Sequence, residues 1–457
     1  MGRCQGFRLV KALMDLEVLN DNSESEVGSY FVANYPPFSV WSKSENEAAI
    51  EALNAPAPVD SHGHTAPLGL YLHIPFCRKR CHFCYFRVYT GKNSKEIEEY
   101  LDALATEAAL YSDRAALQGR EFDFVYFGGG TPSYLSGDQL KRLIARIGER
   151  WKWDHAREVT FECEPGTLRK GKLEAIKAIG VTRLSMGVEH FDDEILERGG
   201  RAHKSAEVFR AYEWAREVGF PQINVDLIAG MIGETQAKWE DAISKTIALD
   251  PDSITIYQME IPHNTDIARE IKNDGPLIPI ASWDQRRAWA DEALCALESA
   301  GYEINGAYTA VRPDRNAGFI YRDALWRGAD MIGTGVASFS HLSGVHYQNA
   351  DQWESYAGPL RAGKLPLQRA LRLSDRERLT REVVLQLKLG EIPVDYFERK
   401  FDENILRVFA EPLVSLENEG FATISPERVS LTRKGLLRID ALLPRFFDPK
   451  YTDIRYT

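Results

Sequence analysis

From Leu68 to about Asn305, short β-rich apolar runs alternate with longer amphipathic stretches. That pattern predicts βα units feeding a parallel sheet. The strand-like runs are LYLHI, FDFVYF, EVTFE, TRLSMGV, QINVDLI and SITIYQ, with a shorter one at YEIN. Helical patterns separate them over Lys95–Tyr111, Gly137–Arg150, Lys170–Ile179, Ser205–Val218, Ala237–Leu249 and Trp283–Ser299. Six successive units make a barrel or an open curved sheet, and both arrangements place their sites at the C-terminal strand ends.

The flanks read differently. Residues 1–65 carry the polar runs Asn20–Glu26 and Lys43–Glu47 and end in APAPVDSHGHTAPLG, which suits an N-terminal extension with a linker. The aromatic island YFVANYPPFSVW (Tyr30–Trp41) is expected to pack on the main domain, cover a cleft, or serve as a disordered binding motif. After Arg372, helical patterns lead into EGFATISPERVSLTRKGLLRIDAL, which reads as strand, turn, strand and helix and resembles a winged-helix-type module. The expected domains are therefore the extension 1–65, an α/β core 66–305, a connecting segment 306–371 that completes the active-site cleft, and a helical module 372–457.

Composition narrows the class. The 457 residues are 44% hydrophobic and 27% charged, which excludes collagen-like and wholly disordered chains. The net charge of −11 offers no general attraction for nucleic acid, so the C-terminal module is expected to pack or cover rather than read DNA. No stretch approaches the roughly 18 apolar residues of a membrane span, and the first residues lack a secretory pattern, so a cytoplasmic location is expected. The six cysteines are too few for a disulfide framework in a chain of this length. Cys4, Cys163 and Cys295 stand alone and read as ordinary unpaired thiols.

Cys77, Cys81 and Cys84 are different, because HIPFCRKRCHFCYF sets them in a CxxxCxxC pattern just after the first strand. Three thiolates cannot close a four-iron cubane, so one iron would keep an open position. Zinc would want a fourth ligand, which His73 or His82 could supply, and accidental spacing is the third reading. Arg78, Lys79 and Arg80 are expected to favour thiolates by lowering their pKa. After the second strand, Gly128, Gly129 and Gly130 would let backbone approach a ligand without a Cβ in the way. Three later strands end in acids, Glu162, Glu189 and Asp226, which would converge on the mouth of the sheet. They suit ribose hydroxyls or an ammonium, or else they cap helices or pair with Arg183, Arg198 or Arg201.

In order along the chain, YLHIPFC, FGGGTP, RLSMGV and VDLIAG resemble the radical S-adenosylmethionine superfamily, and within it the oxygen-independent coproporphyrinogen III oxidase-like (HemN/HemW-like) family. The likeness continues through GYEI and WRGADMIGTGVASFSH into the C-terminal module. It implies a partial (β/α)6 barrel whose Cys77, Cys81 and Cys84 bind a [4Fe-4S] cluster. The fourth iron of that cluster would chelate S-adenosylmethionine, and electron transfer would yield a 5′-deoxyadenosyl radical. The first cofactor site falls by resemblance on Tyr71, Gly129 and Glu162. A second S-adenosylmethionine site falls on Phe83, Gly130, Thr131, Glu189, Arg201 and Asp226, so one or two cofactor molecules are implied.

This chain departs from the family at three places. Glu189 stands where a Gln is usual, which removes a donor and adds charge. Phe86 stands where the oxidase has a further Cys, and YRDALW (Tyr321–Trp326) replaces the HNxxYW-like element of haem chaperones. Arg87 and Lys92 follow the cluster motif and could meet an anionic substrate or be solvated loop charges. The implied activity is a tetrapyrrole-related oxidative reaction on a small molecule, fed by an external donor such as flavodoxin or ferredoxin. Radical methyl transfer or cyclopropanation with two S-adenosylmethionines, and haem carriage, are the alternatives. No catalytic side chain is singled out.

Overall fold

In the computed structural model, six parallel strands lie in chain order: β1 (Leu68–Ile74), β2 (Phe124–Gly129), β3 (Glu158–Cys163), β4 (Arg183–Glu189), β5 (Gln222–Ala229) and β6 (Ser253–Gln258). The residues described are 31–60, 63–262, 265–269, 280–315 and 317–451. Strand alternation sorts the two faces. Leu70, Leu72, Val125, Phe127, Leu184, Met186, Val225 and Leu227 are fully buried in the main core. The alternate positions carry polar groups that line a lumen and meet one another between neighbouring strands. Tyr126 donates to Glu162 at 2.7 Å, and Ser185 donates to Asp226 at 3.0 Å.

The strands do not close into a ring. β6 pairs antiparallel with β8 (Thr309–Val311), which also holds β7 (Glu303–Ile304). On the other side β1 pairs in parallel with β9 (Asp330–Thr334), followed by β10 (Phe339–Leu342), β11 (Val345–Asn349) and β12 (Leu367–Arg372) in antiparallel order. The result is one sheet of twelve strands with a curved parallel centre. Residues 306–371, read from sequence as a connecting segment, thus contribute five strands to it.

The same segment closes the N-terminal end of the lumen. The amides of Ile320 and Tyr321 donate to the two Glu158 carboxylate oxygens, each at 3.0 Å. Gln222 donates to the carbonyls of Ala317 and Gly318, and the Tyr321 ring packs 4.3 Å from that of Tyr126. The YRDALW element forms part of this floor.

Part of the N-terminal extension is also built into the fold. The helix Asn46–Asn54 buries Ala49 and Leu53, and Ser42 exchanges two backbone hydrogen bonds with Ala370 of β12, both at 2.9 Å. The polar run hid this helix because its buried face is made mostly of alanine. Of the aromatic island, Tyr35 and Trp41 are buried, so the segment packs on the protein, while Tyr30 lies outside the described residues. Cys4 and the Asn20–Glu26 run also lie outside them.

The C-terminal module opens with the helix Asp375–Leu387 and carries a small sheet, in the order β13 (Glu391–Pro393), β15 (Arg428–Leu431), β14 (Ala422–Ile424). It is joined to the barrel through Lys388, which is fully buried. The Lys388 ammonium lies 3.0 Å from Asp440 Oδ1, donates to the Val32 carbonyl at 3.0 Å, and sits 3.5 Å from the Phe31 ring centroid. Asp440 also accepts from the Val32 amide at 2.9 Å and from the Tyr308 hydroxyl. Four distant segments therefore meet at one ion pair. Among the described residues, no helix is long and apolar enough to cross a membrane.

Removing one member of a buried pair leaves the other charge uncompensated, at a cost of about 3–5 kcal/mol. Asp440→Ala should lower unfolding free energy by about that amount. Lys388→Met combined with Asp440→Asn should recover much of it, as read by chemical denaturation.

Candidate active site

β1 ends at Ile74 and releases the chain into a loop that is pinched at its base. The Cys77 amide donates to the Tyr89 carbonyl at 3.1 Å, and the Tyr89 amide donates to the Pro75 carbonyl at 2.7 Å. The crest is fixed by the His82 amide on the Gly199 carbonyl at 3.0 Å. Its strongest tether is Arg78, which grips both oxygens of Glu164 at 3.1 and 3.0 Å and reaches the Ala202 carbonyl at 2.8 Å. His203 adds a contact to the same carboxylate at 3.1 Å. Burial works to raise the Glu164 pKa, but the His203 hydrogen bond and the charges of His203 and Arg78 hold it down at about 2.

The three thiols are free. Burial pushes Cys77 up to about 11 despite a hydrogen bond from the Thr131 hydroxyl at 3.3 Å. Burial and the neighbouring Cys81 push Cys84 up to about 12. The expectation that Arg78, Lys79 and Arg80 favour thiolates holds only for Arg80, whose charge lowers the Cys84 pKa but is outweighed by burial. Arg78 is committed to Glu164, Arg80 donates to the Cys84 carbonyl at 2.9 Å, and Lys79 faces solvent. The guanidinium that reaches a sulfur is Arg201, 3.3 Å from Cys81 Sγ. Arg87 and Lys92 are likewise occupied, by Asp351 at 3.6 Å and Glu96 at 2.7 Å.

Glycines shape the next wall. Gly129 has a φ of 116°, and a Cβ there would fall 2.7 Å from the His73 ring. A Cβ on Gly130 would lie 3.0 Å from Cys77 Sγ and 2.8 Å from the Pro75 carbonyl carbon. Glu162 accepts from the Tyr126 hydroxyl at 2.7 Å and from the Gly129 amide at 3.2 Å. Tyr71 stacks 5.9 Å from Tyr126 and meets His73 Nδ1 at 3.2 Å.

Glu189 is the last residue of β4, whereas Asp226, read from the sequence as a strand end, lies mid-strand in β5 with Leu227, Ile228 and Ala229 beyond it. Glu189 adopts a left-handed φ of 64° and stands 3.5 Å from Arg201, which also donates to the Gly187 carbonyl at 2.5 Å. Asp226 accepts from Ser185 at 3.0 Å and from Asn224 at 2.9 Å. Burial raises all three acids, Glu162 and Glu189 to about 7. Phe83 packs against the apolar cluster of Ile195, Ile228, Met231, Met259 and Ile267.

The cysteine loop, Gly129–Thr131, Glu162 and Glu189 thus lie at C-terminal strand ends, with Asp226 deeper on its strand. Sequence reasoning weighed His73 only as a zinc ligand and Arg183 only as an ion-pair partner, and it overlooked Glu164 and His203. His73 shares the face of Tyr71 two positions earlier, Arg183 shares the face of Ser185, and Glu164 and His203 each lie two positions beyond a residue already singled out. Period-two spacing could have placed the first two on the lumen face. The other two depend on folding that brings β3 beside the cysteine loop.

Among the described residues, no three His, Cys, Asp or Glu side chains form a single-ion cage. His82 contacts the Arg198 carbonyl through Nδ1 at 3.0 Å, and His73 Nε2 is buried without a well-aligned hydrogen bond. A polynuclear cluster does not need its thiolates to meet at one point. Three free thiols on one tethered loop, with glycine-made space beside them, fit that larger group. Iron would displace the protons that burial holds on the sulfurs. Arg78→Met should loosen the loop, so that a reconstituted cluster is stripped several-fold faster by a chelator, as followed by visible absorbance.

Comparison with known proteins agrees with this geometry. Residues 71–245 match the Radical SAM superfamily model, and residues 373–438 match the HemN C-terminal domain. The oxygen-independent coproporphyrinogen III oxidase of Escherichia coli (strain K12) is 28% identical over 390 residues, covering 82% of this chain and 84% of that protein. The heme chaperone HemW of Bacillus subtilis (strain 168) is 29% identical over 373 residues, covering 80% and 96%. The solved structure of coproporphyrinogen III oxidase (HemN) from Escherichia coli, a radical SAM enzyme, aligns with a TM-score of 0.78 at 25% identity, covering 91% of this chain and 96% of that one. With the fold, both family segments and full-length relatives in agreement, the chain belongs to the radical S-adenosylmethionine superfamily as a HemN/HemW-like enzyme whose cofactors are a [4Fe-4S] cluster and S-adenosylmethionine.

Proposed function

We propose that Cys77, Cys81 and Cys84 hold the cluster, that Tyr71, Gly129 and Glu162 bind S-adenosylmethionine beside it, and that the enzyme oxidises a tetrapyrrole-related small molecule in the cytoplasm. A flavodoxin- or ferredoxin-like protein would supply the electron. The observation that carries this reading is the free-thiol loop at the end of β1, with Thr131 on Cys77 and Arg201 on Cys81. When bound, the two cofactors supply one-electron cleavage of the sulfonium to a 5′-deoxyadenosyl radical.

This chain's residues do the holding. Glu162 presents two acceptor oxygens, already oriented by Tyr126 and Gly129, to ribose hydroxyls. Gly130 keeps the strand end clear beside Cys77. Thr131 and Arg201 donate to thiolate sulfurs and temper their negative charge. The substrate class rests on the names of the relatives, coproporphyrinogen III oxidase and heme chaperone. Carriage of haem is the weaker reading, because Tyr321 and Trp326 are taken up in the floor of the barrel and the buried core. Methyl transfer with two S-adenosylmethionines would use Phe83, Gly130, Thr131, Glu189, Arg201 and Asp226. Against it, Arg201 is already paired with Glu189.

Anaerobic reconstitution with labelled S-adenosylmethionine separates these readings. 5′-Deoxyadenosine alone is expected. S-Adenosylhomocysteine in addition would mean methyl transfer, and neither product would mean a carrier. Alanine at any of Cys77, Cys81 or Cys84 should abolish cleavage, and a stable colourless protein holding one zinc through them would overturn the assignment. Glu162→Ala should weaken S-adenosylmethionine binding at least about tenfold, as lost charge-assisted hydrogen bonds require, with the cluster spectrum unchanged.

A further inference from the structure

The lumen beneath the cysteine loop is short of positive charge. Glu162, Glu189 and Asp226 stand on neighbouring strands, with Glu162 in register with Ser185, and Asp226 in register with Gly187. Such strands lie about 4.8 Å apart. Arg201 is the guanidinium paired with this group, and it is divided among Glu189, the Gly187 carbonyl and Cys81.

Deeper in the lumen Arg183 is 1% exposed, and its Nε and one terminal nitrogen have no partner. Its guanidinium lies 4.0 Å from the Phe319 ring and attracts both Glu162 and Asp226 without forming an ion pair among the described residues. On the β1 side, His73 is 6% exposed, and its Nε2 makes no well-aligned hydrogen bond although the Arg87 backbone lies beside the ring. Buried polar groups are rarely left unsatisfied, so these groups mark a space shaped for an occupant.

The remaining groups do not restore the balance. Tyr71, Tyr126 and Tyr321 stay neutral because burial raises each of them, and Tyr257, 40% exposed, is raised by its partial burial and by the three acids. Glu158 faces the floor amides, Arg322 pairs with Asp323, and Glu164 is matched by Arg78 and His203. An ionised carboxylate without a counter-charge is costly to bury, and a proton removes that cost.

We propose that Glu162, Glu189 and Asp226 share a proton while the lumen is empty and release it when a cationic ligand enters. The inference rests on the functional reading above, in which S-adenosylmethionine brings that cation as its sulfonium. The raised pKa values of the three acids agree with it. They titrate as a coupled group, so the proton belongs to the trio and not to one residue. The sign follows from linkage. Below about pH 7 the ligand must displace the proton, so affinity falls by up to about tenfold per pH unit as pH drops, and it levels off above pH 7.

Calorimetry of S-adenosylmethionine binding to the anaerobically reconstituted protein, near pH 6 in two buffers of different ionisation enthalpy, counts the protons released. Wild type should release up to about one more proton than Glu189→Gln, and the pH dependence of its affinity should be steeper. Protons lost by the ligand's own amine are common to both proteins and cancel. Wild type should also release more with S-adenosylmethionine than with S-adenosylhomocysteine, which lacks the positive sulfur, and that comparison stands if the variant fails to fold. Equal proton counts in these comparisons would overturn the proposal. No S-adenosylmethionine binding by wild type at any pH would instead overturn the functional reading on which it rests.

Discussion

A parallel strand covered on both faces is ordinarily apolar throughout. Here alternate positions of β1 to β5 carry Tyr71, Tyr126, Glu162, Ser185 and Asp226, so the centre of the sheet encloses polar groups that water cannot freely reach. The need to satisfy those groups organises the rest of the molecule. The floor exists where Glu158 and Gln222 find backbone partners in residues 317–321. At the other end, Glu162 finds a tyrosine hydroxyl and a glycine amide, and Glu189 finds Arg201. The site is the part of this network that the protein alone does not complete.

The βα alternation, the helices Ser205–Val218 and Trp283–Ser299, and the convergence of Glu162, Glu189 and Asp226 were all legible because period and spacing encode them directly. What escaped the sequence depends on long-range packing. Arg201 lies 120 positions from Cys81, and no local rule says that its guanidinium rather than the adjacent Arg78 will reach a sulfur. Arg78 looks like a local cation for the thiols until folding brings up Glu164 and His203. The helix Asn46–Asn54 was missed because alanines carry little amphipathic signal. The edge strand β12 was missed because LQRALR mixes polar and apolar residues without a clean contrast, and the interior strands β9 to β11 because they are short and, as in FSHL and VHYQN, bury polar residues.

The electrostatics divide into two regimes. Around Glu164 every charge has a partner, and the result is a rigid tether for the cysteine loop. Around Lys388 and Asp440 a single buried pair, boxed by Phe31 and Tyr308, holds the N-terminal segment, the sheet and the C-terminal module together. The lumen, by contrast, keeps nitrogens on Arg183 and His73 that make no well-aligned hydrogen bond. Completed networks fix the frame, and an incomplete one leaves an affinity unexpressed in the empty protein.

The closed floor has a kinetic meaning. With Phe319 and Tyr321 packed against Arg183 and Tyr126, the described residues close the N-terminal end of the barrel. A vessel closed at its base imposes an order on contents that stack along its axis. The molecule that sits deepest must enter first and leave last, and whatever settles above it acts as its stopper. Such an enzyme can hold a reactive fragment beneath its substrate without a hinged cover, since the substrate itself closes the way out.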